Sequence, residues 1–318
     1  MSKNYAVVTG AAGFIGSHLA LGLLKNDYIV IGIDNFFRGT EDNLLPLRGN
    51  KNFNFFNCDL SSQEECKSLK QKIGSIIKNA RCEIYHYAAI NGTKYFYDFP
   101  FEVFSKNVSI TENTLSLLDS QSIKKFIFAS SSEVYGFNPP TPTSELHEIV
   151  LNIEADRDSY ACSKVHNEFL IKFFCQKNDI DYLILRLFNV YGPNMVSTDY
   201  GQVVPEFIRR FKEGKFSIIG DGLQTRSFCY IDDNIQVTLK ASSIASDQVL
   251  NIGNDEEVTI LELAKLIHKI GNKNFDPVFL PARKNDTLVR KPCNKKLFGF
   301  IGKHEFLSLE QGITKLLK

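Results

Sequence analysis

The stretch "FASSSEVYG", residues 128–136, sets three serines and a glutamate directly behind an apolar run. Serine hydroxyls in such a place can cap a turn by bonding the backbone. A turn has no need of Glu133, however, and a carboxylate among hydroxyls can hold or transfer a proton. Further along, "YACSK" (160–164) separates Tyr160 and Lys164 by four positions, which puts both on one face of a helix. A tyrosine is a base near neutral pH only if its pKa of about 10 falls by roughly three units, ~4 kcal/mol, and a neighbouring cation works in that direction. Such a pair is often no more than a surface contact. Its weight here comes from the elements that place it one helix after the serine-glutamate strand end.

Those elements begin with "TGAAGFIG" (9–16), which follows a first apolar run, "YAVVTG" (5–10), and opens an amphipathic segment. Gly10 allows a tight turn, Gly13 lets a pyrophosphate approach the backbone, and Gly16 lets the helix close on the strand. The helix N-terminus adds N–H donors and partial positive charge. Asp34 ends the next apolar run, "YIVIGID" (28–34), 18 residues after Gly16. An acid there accepts ribose hydroxyls and repels a 2′-phosphate, which favours NAD over NADP. Arg38, close by, reads as a solvated surface arginine. Asp59, after the third run, stands where an adenine amino group would pass, or is a plain loop aspartate.

Further apolar runs at 53–60, 82–89, 124–130 and 182–190 alternate with helix-length segments. Continuous runs of this kind suit a parallel sheet covered on both faces. The expected fold is α/β, a Rossmann-like doubly wound parallel sheet with a smaller C-terminal lobe. The expected domains are 1–175 and 176–318, with some later segments returning to the first. "VVPEFIRRF" (203–211) and "ILELAKLIHKI" (260–270) read as helices of the second half.

Across 318 residues, 37 basic and 36 acidic side chains leave no global field to attract a nucleic acid polymer or an anionic membrane. Seven cysteines at irregular positions form neither a CxxC pair nor a secreted disulfide framework, so free thiols in a reducing, cytoplasmic compartment are expected. The first run begins by Tyr5, which leaves no room for a signal peptide, and no apolar stretch approaches the ~18 residues of a membrane span. The six histidines show no HExxH spacing and the acids do not cluster, so no metal is expected. His86 reads as a satisfied core residue, and Cys162 as packing.

Three later motifs, "RLFNVYGP" (186–193), "TRSFCYIDD" (225–233) and "LNIGNDEEVTILELA" (250–264), follow in order. With them the chain resembles, over essentially its whole length, an extended short-chain dehydrogenase/reductase of the NAD-dependent nucleotide-sugar epimerase/dehydratase family. The resemblance implies a Rossmann domain whose smaller lobe binds a nucleoside-diphosphate sugar. It implies NAD along Gly10, Gly13, Phe14, Ile15, Gly16, Asp34, Asn35, Asp59, Leu60, Ala88, Ala89, Tyr160 and Lys164. Tyr160 would take the proton of the sugar 4-hydroxyl as C4 is oxidised, Lys164 and the nicotinamide would lower its pKa, and Ser131 would bond the same oxygen. Asn189 and Arg226 would hold the diphosphate, Val204 in "QVVPEF" (202–207) would cover the base, and Ser132 would face the sugar. Arg290 in "VRKP" (289–292) resembles the decarboxylase arginine that lies near the sugar carboxylate.

Glu133 separates the reactions that such a site can run. A 4-epimerase needs only the tyrosine and the serine, whereas related 4,6-dehydratases place a glutamate here to remove the C5 proton. In hexuronate decarboxylases that glutamate helps hold the sugar. The favoured outcomes are therefore 4,6-dehydration or hexuronate decarboxylation, with 4-epimerisation and a catalytically silent NAD-sensing protein as alternatives. "AAINGTKYFYDFP" (88–100), which lines the cleft in this family, departs from the usual wording of each subfamily. The resemblance also implies a homodimer through helices at 101–120 and 159–174, with Phe101, Val108, Leu115 and Leu118 among their apolar positions.

Overall fold

In a computed structural model, residues 3–78, 80–197, 202–282 and 288–318 are described. The strands are β1 (Asn4–Thr9), β2 (Tyr28–Asp34), β3 (Phe53–Asn57), β4 (Cys82–His86), β5 (Ile123–Ser131), β6 (Asp181–Leu187), β7 (Val190–Tyr191), β8 (Ser217–Ile219), β9 (Thr225–Ser227), β10 (Cys229–Tyr230), β11 (Gln248–Ile252), β12 (Glu257–Thr259), β13 (Val278–Leu280) and β14 (Val289–Arg290). The helices are α1 (Phe14–Lys25), α2 (Glu41–Leu44), α3 (Gln63–Ile77), α4 (Thr93–Asp98), α5 (Pro100–Ser116), α6 (Asp158–Asn178), α7 (Val203–Glu213), α8 (Ile231–Ile244), α9 (Ile260–Ile270), α10 (Lys295–Ile301) and α11 (Leu309–Leu317).

Seven strands form one parallel sheet in the order β11-β6-β5-β4-β1-β2-β3. This is the expected doubly wound α/β fold. The chain builds outward from β1 to β3, then restarts on the other side of β1 with β4. That switch point opens a crevice beyond the carboxyl ends of the strands. The apolar runs become buried strands because helices cover both faces. On one face Leu19, Leu23 and Val237 of α1 and α8 pack with Val8 and Ile127. On the other, Leu69 and Ile73 of α3, Ile110 of α5 and Ile171 of α6 pack with Ile31, Ile84 and Phe126.

Three runs are shorter as strands than as sequence, the one at 82–89 ending as β4 at His86. β3 stops at Asn57, and the Cys58 amide then bonds the Asp34 carbonyl at 3.0 Å, turning residues 58–60 along the end of β2. The run at 182–190 divides into β6 and β7 around Asn189, whose φ of 29° takes it out of the sheet. Past residue 175, β6 and β11 lie in the large sheet, so the chain does return to it. The remaining short strands make three small sheets, β10-β7, β12-β9-β14 and β13-β8. The loop after β5 is stitched to the β14 segment, since the Thr143 amide bonds the Lys291 carbonyl and the Cys293 amide bonds the Thr143 carbonyl, both at 2.8 Å.

Candidate active site

The glycine turn stands where β1 meets α1, and its glycines are required by space. Gly10 has φ of 72°, and a Cβ on Gly16 would lie 2.0 Å from the Gly10 carbonyl oxygen. Gly13 precedes the first turn of α1 in extended conformation, so the amides of that turn are open to the crevice. At the end of β2, the Asp34 carboxylate accepts the Ala12 amide at 3.0 Å and the Phe36 amide at 2.7 Å. Burial pushes its carboxyl up, while the bonds from Phe36, Ala12, Gly13 and Asn35 pull it down. A close-packed glycine turn, an open helix N-terminus and an acid at the next strand end fit a dinucleotide.

A cleft of about 900 Å³ runs from this turn across the strand ends. Gly10, Gly13, Phe14, Ile15, Gly16, Ala89, Ser131, Ser132, Glu133, Tyr160, Lys164, Asn189, Val204, Arg226 and Arg290 all line it. Asp34, Asn35, Asp59, Leu60 and Ala88 are outside that lining. Asn35 and Asp59 make local turns: Asn35 accepts the Phe37 amide at 3.0 Å, and Asp59 accepts both the amide and the hydroxyl of Ser61 at 2.8 Å. Leu60 is buried, and its carbonyl accepts the Asn113 amide group at 2.8 Å.

At the centre, β5 ends on Ser131, whose Oγ accepts the Glu133 amide at 3.2 Å. The turn-capping reading of the serine is thus correct, and its hydroxyl lies close enough to Tyr160 to favour the phenolate. α6 is fastened to the same strand end: Lys164 Nζ donates to the Ala129 carbonyl at 2.7 Å and lies 5.7 Å from the Tyr160 ring centroid. Below it, Glu168 accepts Arg186 through two bonds of 3.0 and 2.7 Å and Ser130 Oγ at 2.6 Å, tying α6, β5 and β6 together. Phe96 of α4 stacks on the Tyr160 ring, with centroids 4.7 Å apart.

The protein alone does not lower the Tyr160 pKa. Burial, then the Glu133 carboxylate, pushes the phenol above its ordinary value, and Ser131 and Arg38 oppose this only in part. Burial meanwhile brings the Lys164 ammonium down to about 7, with Glu168 pulling it back.

Glu133 lies among guanidinium groups. Its Oε1 is 2.9 Å from Arg290 Nη1 and its Oε2 is 3.2 Å from Arg157 Nη2. Arg290, only 3% exposed, also donates to Ser132 Oγ at 3.4 Å. The register of β14 against β9 sets Arg290 beside Arg226. Burial would raise the Glu133 carboxyl, yet Arg290, Arg157 and Arg226 together hold it below the usual carboxylate range. Arg157 was not foreseen. It stands one helical turn before Tyr160, and that spacing was the available signal.

Other side chains stand differently from their sequence reading. Arg38 is exposed, but its guanidinium donates to the Asn91 carbonyl instead of pointing only into solvent. Asn189 uses its side-chain amide on the Ser227 carbonyl at 3.0 Å, which fixes the turn between β6 and β7. Cys162 is exposed rather than packed. His86 is a satisfied core residue, bonded to Thr9 at 2.8 Å and Thr111 at 3.0 Å, and burial lowers its pKa to about 3. Among the described residues there is no cluster of three or more potential metal ligands, and no helix is long and apolar enough to cross a membrane.

The fold and site define a Rossmann-type dinucleotide enzyme with a serine, tyrosine and lysine at the strand ends. Comparison with known proteins narrows this. The model of the NAD dependent epimerase/dehydratase family matches residues 6–253, and the chain belongs to that family: it is an enzyme, and its cofactor is NAD. The reading as a silent NAD sensor is thereby set aside. The chain is 32% identical to a UDP-N-acetyl-alpha-D-glucosaminuronate decarboxylase of Bacillus cytotoxicus, over 99% of this chain and 97% of that protein. It is 31% identical to UDP-glucuronic acid decarboxylase 2 of Arabidopsis thaliana, over 98% of this chain and 67% of the relative. Among solved structures it is similar to a mutant UDP-glucuronic acid 4-epimerase of Bacillus cereus bound to a fluorinated UDP-glucuronic acid and NAD. That likeness has a TM-score of 0.84 and 30% identity, covering 98% of this chain and 96% of that one.

Proposed function

We propose that the protein is a decarboxylase of a nucleoside-diphosphate hexuronate, with UDP-glucuronate or its 2-acetamido form as substrate. The observation that carries this reading is the buried Arg290, which lines the cleft and holds both Glu133 and Ser132 beside the Ser131–Tyr160 pair. A guanidinium has five donors in a rigid fork, so one that is bound to Glu133 can still take a substrate carboxylate. Glu133 itself, held below the usual carboxylate range, is a weak base for a C5 proton. This supports decarboxylation over dehydration, and the two decarboxylase relatives point the same way.

The glycine turn, the α1 N-terminus and Asp34 would hold NAD. When bound, NAD supplies the oxidant that makes C4 a ketone and later returns the electrons, together with a positive charge near the phenol. Tyr160 takes the proton of the 4-hydroxyl, and Ser131 bonds the same oxygen and holds it in line. Arg290, kept in place by Glu133 and Ser132, holds the C6 carboxylate. The 4-keto acid then loses carbon dioxide without a base: the C5–C6 bond breaks, its electron pair moves toward the C4 ketone, and a proton arrives at C5. Asn189 and Arg226 would hold the diphosphate, and Val204 would border the base. The division into a cofactor lobe (1–175) and a substrate lobe (176–318) is also ours, as is a cytoplasmic location, argued from the irregular cysteine spacing. We further propose a homodimer built on α5 and α6.

A 4-epimerase of the same hexuronate is the second reading, favoured by the likeness to the UDP-glucuronic acid 4-epimerase. Product masses separate the two. Incubation with NAD and UDP-glucuronate, UDP-N-acetyl-glucosaminuronate or UDP-glucose is expected to convert only the hexuronates, each losing the mass of carbon dioxide. Hexuronates recovered as stereoisomers of unchanged mass would overturn the proposal in favour of epimerisation, and loss of water from UDP-glucose would overturn it in favour of dehydration.

A further inference from the structure

Residues 88–100, the stretch whose wording departs from the related subfamilies, bring α4 to the wall of the cleft. Gly92, with φ of 137°, turns the chain into that helix, and the residues before it are clamped by one side chain of α5. Asn107 accepts the Ile90 amide at 2.7 Å and donates to the Ile90 carbonyl at 3.1 Å. The same side chain donates to Ser163 Oγ of α6 at 3.2 Å. α4 is thereby set against the helix that carries Tyr160, and it supplies Phe96. The Phe96 ring lies on the Tyr160 ring with centroids 4.7 Å apart and planes 12° from parallel, an arrangement favoured for offset stacking.

The pair belongs to neither of the two large cores. Phe96 and Tyr160, both buried, form with Ile90 and Val103 a small apolar cluster of their own, and both also line the cleft. The cluster therefore surrounds the base rather than filling the space between sheet and helices. A phenol has two motions to restrain. Rotation about Cβ–Cγ, a broad torsion, leaves the oxygen in place but turns the ring plane, in which the O–H bond prefers to lie. Rotation about Cα–Cβ swings the oxygen itself. A flat ring against the face of the phenol blocks the first motion and stops the second in its direction. Both matter, because a base must stand within about 2.6–3.2 Å of the proton it takes, and a displacement of ~1 Å can cost ~100-fold in rate.

We propose that Phe96 is a positioning residue for the reaction: laid flat on Tyr160, it fixes the plane and the oxygen of the phenol where the sugar 4-hydroxyl must meet them. The inference rests on Tyr160 being the base of the proposed reaction, but it does not depend on which product forms.

The test compares Phe96→Leu, which keeps an apolar side chain without a flat ring, with Phe96→Tyr, which keeps the ring. Both are assayed in the NAD-loaded protein on whichever nucleotide-sugar conversion the parent performs, so a protein that proves to be an epimerase still decides the point. Phe96→Leu is expected to lower kcat by about 100-fold while KM for the nucleotide sugar stays within about threefold, and Phe96→Tyr to recover all but a few-fold of that loss. Packing alone would lower the urea midpoint without separating kcat from KM. A fall in kcat of less than about tenfold in Phe96→Leu overturns the proposal. So does a loss carried by KM, or an equal loss of kcat in Phe96→Tyr. Tyr160→Phe, measured alongside, keeps the two readings apart. If it turns over at the parental rate, Tyr160 is not the base and the proposed reaction fails with the role of Phe96; if it is inactive while Phe96→Leu is unimpaired, the role of Phe96 alone falls. Should Phe96→Leu fail to fold, Phe96→Met serves for the same measurement with the same criteria.

Discussion

Two features of the centre come from single side chains that face one another across long stretches of chain. Ser131 was legible because it ends an apolar run, and Tyr160 with Lys164 because four-residue spacing is a helical face. The ring of arginines was not. Arg157, Arg226 and Arg290 meet Glu133 from a helix start and two short strands, and no local periodicity connects them. That ring changes what Glu133 can do. Its carboxylate holds Arg290 in place and is too weak a base to drive proton removal at C5. Glu133→Gln should therefore lower hexuronate turnover by ~10-fold, mainly through a higher KM, and not by the ~10²–10⁴-fold typical of a lost general base. Steady-state kinetics on UDP-glucuronate check this, and a loss above a thousandfold with a 4-keto sugar accumulating would speak for a base.

At the scale of elements, the site depends on α6 keeping its place against β5 and β6. The Glu168–Arg186 pair performs that task beneath the site, with both residues buried and Ser130 bonded to the same carboxylate. Removing the charge of one partner strands the other. Glu168→Gln should cost on the order of 3 kcal/mol, read as a lower urea midpoint with an unchanged slope. A midpoint equal to that of the parent would show that the pair is not what fastens the helix. The cofactor elements were the most readable part of the chain, because glycine turns and strand-end acids answer to local geometry. What could not be read was how Asp34 is held, since its partners are backbone amides of Ala12 and Phe36. Asp34→Ala should weaken NAD by roughly 10- to 100-fold, from lost charge-assisted hydrogen bonds of ~1.5–3 kcal/mol each, and narrow its advantage over NADP. Calorimetric titration with both dinucleotides measures this; an unchanged ratio would remove Asp34 from the ribose.

On the scale of the whole molecule, parallel strands alternating with helices made the seven-stranded sheet legible, including the return of later segments to it. The smaller sheets were not, because strands of two or three residues carry no pattern, and Arg226 and Arg290 ride on two of them. The surface of α5 and α6 also differs from its reading. Leu115 and Leu118 are buried in the core, whereas Phe101 is 76% exposed, and Phe169 and Phe173 of α6 are exposed as well. These phenylalanines suit a second copy of the chain better than water. Light scattering should give twice the 36.0 kDa of one chain, and Phe169→Glu with Phe173→Glu should return it to the single-chain mass; a single-chain mass for the parent would refute the dimer.

The central claim is that Glu133 and its arginines hold a carboxylate and remove no proton from C5. UDP-glucuronate carrying deuterium at C5 tests this most directly. If the account holds, the product has lost carbon dioxide, keeps the deuterium at C5 and gains one hydrogen there from water. Deuterium released to water during turnover would show that a base acts at C5, and would contradict it.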